Sequence, residues 1–203
     1  MIWKFTDNKS RDSIEQQFDW ARNMNEVPQD KLYHAEGNVA VHTWKVIEEL
    51  QQLPAYSDLG GQDKEILWTA ALLHDVEKRS ATVVESDGRI TARGHARKGE
   101  YTVRTLLYRD LPTPFAIREK IASLVRFHGL PLWLMEKTDP VRKIAEVAFR
   151  LDTSQLRMLA EADIRGRICQ DREELLESLD LFELFCREQG CWKKSREFTT
   201  CLL

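Results

Sequence analysis

Five histidines, His34, His42, His74, His95 and His128, are the residues of this chain best suited to chemistry. His74 is followed directly by Asp75, at the end of the apolar run Ile66 to Leu73. Leu67, Ala70, Ala71 and Val76 recur at helical spacing, which predicts a largely buried helix over 62–78. A helix that carries His and Asp into an interior must satisfy both side chains with hydrogen bonds or a metal. His42 lies beside the apolar face of Val39 and Val46, His95 opens a helix after Gly94, and His128 closes one before Gly129. Any one of them alone reads as a satisfied core histidine. Four on four separate helical segments, with Asp75 beside one, point to a transition-metal centre, because imidazole ligates such metals and carboxylates bridge metal pairs. Asp163, in Ala160-Glu161-Ala162-Asp163, offers a further carboxylate from late in another helix.

The elements that must position these side chains are helices. Amphipathic or apolar periodicity predicts them near 11–25, 38–53, 62–78, 94–107, 115–127, 140–151, 154–168 and 171–190. The one strand-like stretch is Thr82-Val83-Val84, Asp87-Gly88, Arg89-Ile90-Thr91, a short hairpin or irregular loop near 82–91. The fold class is therefore all-α, a bundle of about seven to nine helices. At 203 residues and 42% hydrophobic content the chain reads as a single domain, 1–203, with the tail from Trp192 uninformative.

Composition narrows the function classes. A net charge of −3 argues against a broad basic surface for long nucleic acid, leaving room for a local basic pocket. No apolar run reaches membrane-spanning length and the first residues do not resemble a signal peptide, so no membrane partner is expected. The four cysteines, Cys169, Cys186, Cys191 and Cys201, lack zinc-finger spacing and read as reduced thiols in a cytoplasmic protein.

In order, His42, His74-Asp75, His95, His128 and Asp163 resemble the H…HD…H…H…D pattern of the HD superfamily of metal-dependent phosphohydrolases. The flanks agree. Tyr33-His34-Ala35-Glu36-Gly37-Asn38-Val39-Ala40-Val41-His42-Thr43 is similar to the WHPEGDVxxHT segment of HD domains attached to tRNA nucleotidyltransferases. Leu72-Leu73-His74-Asp75-Val76-Glu77-Lys78 is similar to their LLHDxxK, Gly94-His95-Ala96-Arg97-Lys98-Gly99 to their GHxxxG, and Glu161 to Arg167 to their EADxRGR. The matched blocks span about 33–167. Val76-Glu77 departs from the usual hydrophobic-Gly before the lysine, and there is no GxxxxGK[ST] loop. Stand-alone modules of this kind also occur at the N-terminus of RNA end-healing kinases. A kinase or nucleotidyltransferase domain downstream of Leu203 in a longer protein is thus left open.

The resemblance implies that His42, His74, Asp75 and Asp163 hold one divalent metal, and that His95 and His128 add a second bridged by Asp75. Manganese, cobalt, nickel, magnesium or iron would suit. It implies a phosphohydrolase acting on a phosphomonoester or cyclic phosphodiester, with 2′-phosphates or 2′,3′-cyclic phosphates of nucleotides or RNA ends as substrates. Lys78, three residues past Asp75, would hold the phosphate or stabilise the transition state; alternatively it is a solvated lysine at a helix end. Arg165 and Arg167 point to different sides of their helix, so one could reach the phosphate while Arg167 could orient Asp163. His34 and Glu36 could support His42 or donate a proton to the leaving oxygen; a surface-loop role is equally open. Lys98 and Arg126 are weaker phosphate candidates. The six tryptophans read as core, with Trp133 the one that could stack on a base. The same ligand pattern also serves HD-fold mixed-valent diiron oxygenases, and a non-catalytic metal-binding regulatory domain is a third alternative.

Overall fold

The computed structural model of the chain describes residues 1–193, and among them only one small hairpin is not helical or loop. After an extended lead-in, α1 (Arg11–Gln17) starts at Ser10, whose side chain accepts the Ser13 N–H. The periodicity predicts one helix over 11–25, but Phe18 adopts extended backbone and splits it into α1, α2 (Asp19–Asn23) and a 3-10 turn, Met24–Glu26. Phe18 packs its ring 5.3 Å from Phe5 and 5.5 Å from Trp20, so tertiary packing of aromatics overrides helical continuity.

Helix α3 (Val39–Gln52) is capped by the Asn38 side chain, which accepts the Val41 N–H, and Pro54 opens the single turn α4 (Pro54–Ser57). Every residue of α5 (Gly61–Leu73) from Ile66 onward is buried, making it the central helix. It stops at His74 rather than running to residue 78; a turn follows, then α6 (Lys78–Ala81). Strands β1 (Val83–Val84) and β2 (Ile90–Thr91) pair antiparallel, Val83 opposite Thr91, inside the expected 82–91 window. Then come α7 (His95–Arg109), α8 (Phe115–Phe127), α9 (Leu130–Trp133), α10 (Pro140–Arg150), α11 (Thr153–Gly166) and α12 (Arg172–Glu188). Eight described helices have seven or more residues, within the range expected.

The main core surrounds α5 and receives α3, α8 and α11; a smaller cluster of Leu132, Ala160, Ile164, Leu175 and Leu179 joins α9, α11 and α12. Helices α3 and α11 meet closely because residue 166 is glycine: a Cβ there would lie 2.9 Å from the Val46 backbone nitrogen. Of the tryptophans, Trp20 and Trp68 are buried and Trp3, Trp44 and Trp192 pack against the core, whereas Trp133 is 46% exposed. Cys169, Cys186 and Cys191 are free thiols, and Cys201 lies outside the described residues. No described helix is long and apolar enough to cross a membrane.

Candidate metal centre

Three of the four inner histidines are held through a hydrogen bond at Nδ1, and the fourth, His42, has a carboxylate beside it there. His74 and His128 sit one residue past the ends of α5 and α8, and their Nδ1 atoms lie 2.7 Å from Ala71 O and 2.8 Å from Val125 O. These are carbonyls that a helix end leaves without a backbone donor. His128 therefore caps its own helix, and Gly129 after it keeps right-handed backbone (φ −84°). His95 repeats the contact at 2.7 Å to Ala92 O, where Gly94 takes φ +77° to turn the chain into α7. His42 lies one turn into α3, its Nδ1 2.9 Å from Glu36 Oε1, at ion-pair distance but outside hydrogen-bond alignment. A carbonyl only accepts, so His74, His95 and His128 carry the proton on Nδ1 and present Nε2 as a lone pair.

Those Nε2 atoms converge on Asp75. Oδ2 lies 3.2 Å from His74 Nε2 and 3.8 Å from His42 Nε2; Oδ1 lies 3.2 Å from His95 Nε2 and 3.9 Å from His128 Nε2. Asp163 Oδ1 is 3.0 Å from His42 Nε2. Two triads, His42–His74–Asp75 and Asp75–His95–His128, thus share one carboxylate. His74 Nε2 and Asp75 Oδ1 are buried without a hydrogen-bond partner in the protein. Buried lone pairs turned on one another are costly unless a cation lies between them, so these residues fit a divalent metal. A third group, His34–Glu36–His42, is a support: Glu36 Oε1 is occupied by His34 Nδ1 at 2.8 Å as well as by His42, and Oε2 accepts the Ile168 N–H.

The electrostatics follow from burial set against pairing. Burial works against charge on Asp75, yet His74 and Lys78 hold its carboxyl well below the usual range. Asp163 is likewise depressed against its burial by Arg167 and His42. His74 is raised despite burial, through Asp75 and Asp163. His128 is pushed down to about 3, chiefly by burial. His34 falls to about 4, again through burial, opposed by Glu36. Glu36 is lowered despite burial by the hydrogen bonds it receives.

A cleft of about 560 Å³ opens over the centre, lined by His34, Lys78, His95 and Arg167, with Trp133 and Tyr33 half exposed along it. Lys78 Nζ lies 2.8 Å from Asp75 Oδ2. Arg167 forms a two-pronged pair with Asp163, Nε to Oδ1 at 3.1 Å and Nη2 to Oδ2 at 2.5 Å, and still reaches the cleft. Arg165 does not: α11 ends at Gly166, so Arg165 stays on its outer face, paired with Glu161 at 2.8 Å. Of the two arginines expected to contact phosphate, only Arg167 is among the residues lining this cleft. His34 lines the cleft as well, its Nδ1 2.8 Å from Glu36 Oε1. Lys98 reaches only Ser80 O, and Arg126 lies 3.4 Å from the buried Glu100. Glu77 turns away from the centre, taking hydrogen bonds from Ser80 and, at 2.8 Å, from Thr102 Oγ1 of α7.

Two residues here had no motif to announce them. Asp30 binds the hairpin through Oδ2 to Ile90 N at 3.0 Å and its own turn through Oδ1 to Leu32 N at 3.0 Å. Gln29 accepts from Lys78 Nζ at 2.7 Å. The available signal was local: Pro-Gln-Asp just upstream of the His34 segment, with Asp as a turn former.

Comparison with known proteins places these features in a family. The chain is 29% identical over 152 residues to the Multifunctional CCA protein of Nitrosococcus oceani, covering 70% of this chain and 33% of the relative. It thus spans about a third of that relative's length. The HD domain model matches residues 39–163, a stretch running from the start of α3 through Asp163, and the chain belongs to the HD domain family.

Proposed function

We propose that the chain is a metal-dependent phosphohydrolase acting on 2′-phosphates or 2′,3′-cyclic phosphates of nucleotides or RNA ends. The observation that carries this reading is the convergence of four Nε2 atoms and two carboxylates beneath a cleft bordered by Lys78, Arg93 and Arg167. In this reading His42, His74, Asp75 and Asp163 hold one divalent ion, and Asp75, His95 and His128 a second. Such ions supply a water acidified to a nucleophile at neutral pH and neutralise phosphoryl charge.

The chain's own residues do the rest. Glu36 and the three backbone carbonyls fix the imidazoles before any ion arrives, so little reorganisation is needed on binding. Lys78 and Arg167 orient an anionic phosphate at the cleft wall and stabilise charge developing on its oxygens. Trp133 and Tyr33 offer flat apolar faces along the same cleft, which supports a substrate carrying a nucleobase.

The test is anaerobic hydrolysis of 2′-AMP and 2′,3′-cyclic AMP by chelator-treated protein resupplied with manganese, cobalt, nickel or magnesium. Turnover restored by metal supports the reading. No hydrolysis with any metal, together with oxygen uptake by the iron-loaded protein, would replace it with the oxygenase alternative.

A further inference from the structure

Gln29 is 7% exposed and lines the cleft beside Lys78 and His34. Its amide orientation is set by its partner. An ammonium group only donates, so the atom that meets Lys78 Nζ at 2.7 Å must be Oε1, which leaves Nε2 as the other prong of the amide. Nε2 is itself buried and has no hydrogen-bond partner in the protein. The backbone on either side is restrained: Pro28 fixes φ before it, and Asp30 after it is tied to the hairpin through Ile90 N, while the side chain itself is held by Lys78. A buried amide donor held this rigidly and left unmet is unfavourable, and proteins keep such groups mainly where they are used.

We propose that Gln29 has two roles in the reaction, an inference that rests on the phosphohydrolase reading. Its Oε1 positions the Lys78 ammonium, and its Nε2 donates to a phosphate oxygen of the substrate. The group recognised is an anionic phosphoryl oxygen. Lys78 and Arg167 border the same cleft, so a phosphate held there would find a cation and a neutral donor on one wall.

The two roles separate in two variants. Gln29→Glu keeps an acceptor for Lys78 but removes the donor and sets a carboxylate against the phosphate; Gln29→Ala removes both functions. Inorganic phosphate would be titrated calorimetrically into the manganese-loaded full chain, in parallel with kcat and KM for 2′-AMP, after metal content and melting temperature are shown to match the wild type. Both variants are expected to weaken phosphate binding and raise KM about tenfold, the loss typical of one hydrogen bond to a charged group. kcat should fall further in Gln29→Ala than in Gln29→Glu, because only the latter still holds the lysine. Wild-type phosphate affinity in Gln29→Glu would overturn the donor role. An equal kcat in the two variants would overturn the positioning role. If the wild type binds phosphate through Gln29 but hydrolyses nothing, the anchoring role stands while the phosphohydrolase reading fails. If the wild type does not bind phosphate, the inference falls as well.

Discussion

Gly166 of α11 lies against the backbone of Val46 in α3 so closely that a Cβ would approach the Val46 nitrogen to 2.9 Å. Each residue sits about one turn from a member of the centre: Asp163 three before Gly166, and His42 four before Val46. This close approach is what brings the Asp163 carboxylate to His42. Gly166→Ala gains helix propensity but must push α11 away from a backbone that cannot yield. It is expected to destabilise the chain by about 1–3 kcal/mol, as overpacking does, and to weaken metal binding with it. Denaturant unfolding checks the first part and a chelator competition the second. A variant as stable as wild type would show that the helices part without cost.

Glu36 is the second support of the centre, shared between His34, His42 and the Ile168 amide. Glu36→Gln keeps the shape but removes the charge behind His42. Metal affinity, measured against a chromogenic chelator, should fall about 10- to 100-fold, as expected for a group that orients a ligand. Unchanged affinity would mean that α3 alone orients His42.

How much of this was legible in the sequence varies residue by residue. The six inner groups stood out because metal ligation needs particular side chains, and the helical spacing placed His95 and His128 at element ends. Asn38, whose side chain caps α3, and Pro140, whose fixed φ suits the first position of α10, mark the starts of those helices. The break at Phe18 was not legible, because it depends on Phe5 arriving from a distant stretch. Arg165 and Arg167 stayed ambiguous at two-residue spacing; the helix end at Gly166 decides between them, folding Arg167 back on Asp163. Gln29 was hidden because its partner, Lys78, is 49 residues away and glutamine in a loop carries no motif.

In the metal-free protein, His34 at about 4 and His128 at about 3 lie below the unfolded histidine value of about 6.5. The unfolded chain therefore binds more protons in this range. The stability that these neutral imidazoles contribute is present above about pH 6.5 and is lost as pH falls toward their folded values. His74, raised on folding, acts in the opposite sense. His128→Gln removes one of the depressed groups, so its unfolding free energy in chelator should fall less steeply between pH 6.5 and 4 than that of the wild type. Parallel curves would contradict the burial of a neutral His128.

Trp133 is the exposed tryptophan of the cleft, and stacking on a base is worth about 1–3 kcal/mol. Trp133→Ala should raise KM for 2′-AMP about tenfold on that scale, while leaving hydrolysis of β-glycerol phosphate, which has no ring to stack, as it was. An equal effect on both substrates would assign Trp133 to the shape of the cleft rather than to base recognition.

The central claim is that Asp75 joins two sets of imidazoles around divalent metal. The most direct test is metal content of the chain by mass spectrometry after manganese loading and gel filtration, for wild type and for Asp75→Ala. The account predicts bound metal in the wild type and its loss in a folded Asp75→Ala variant. Equal metal in the two, with the same affinity, would contradict it.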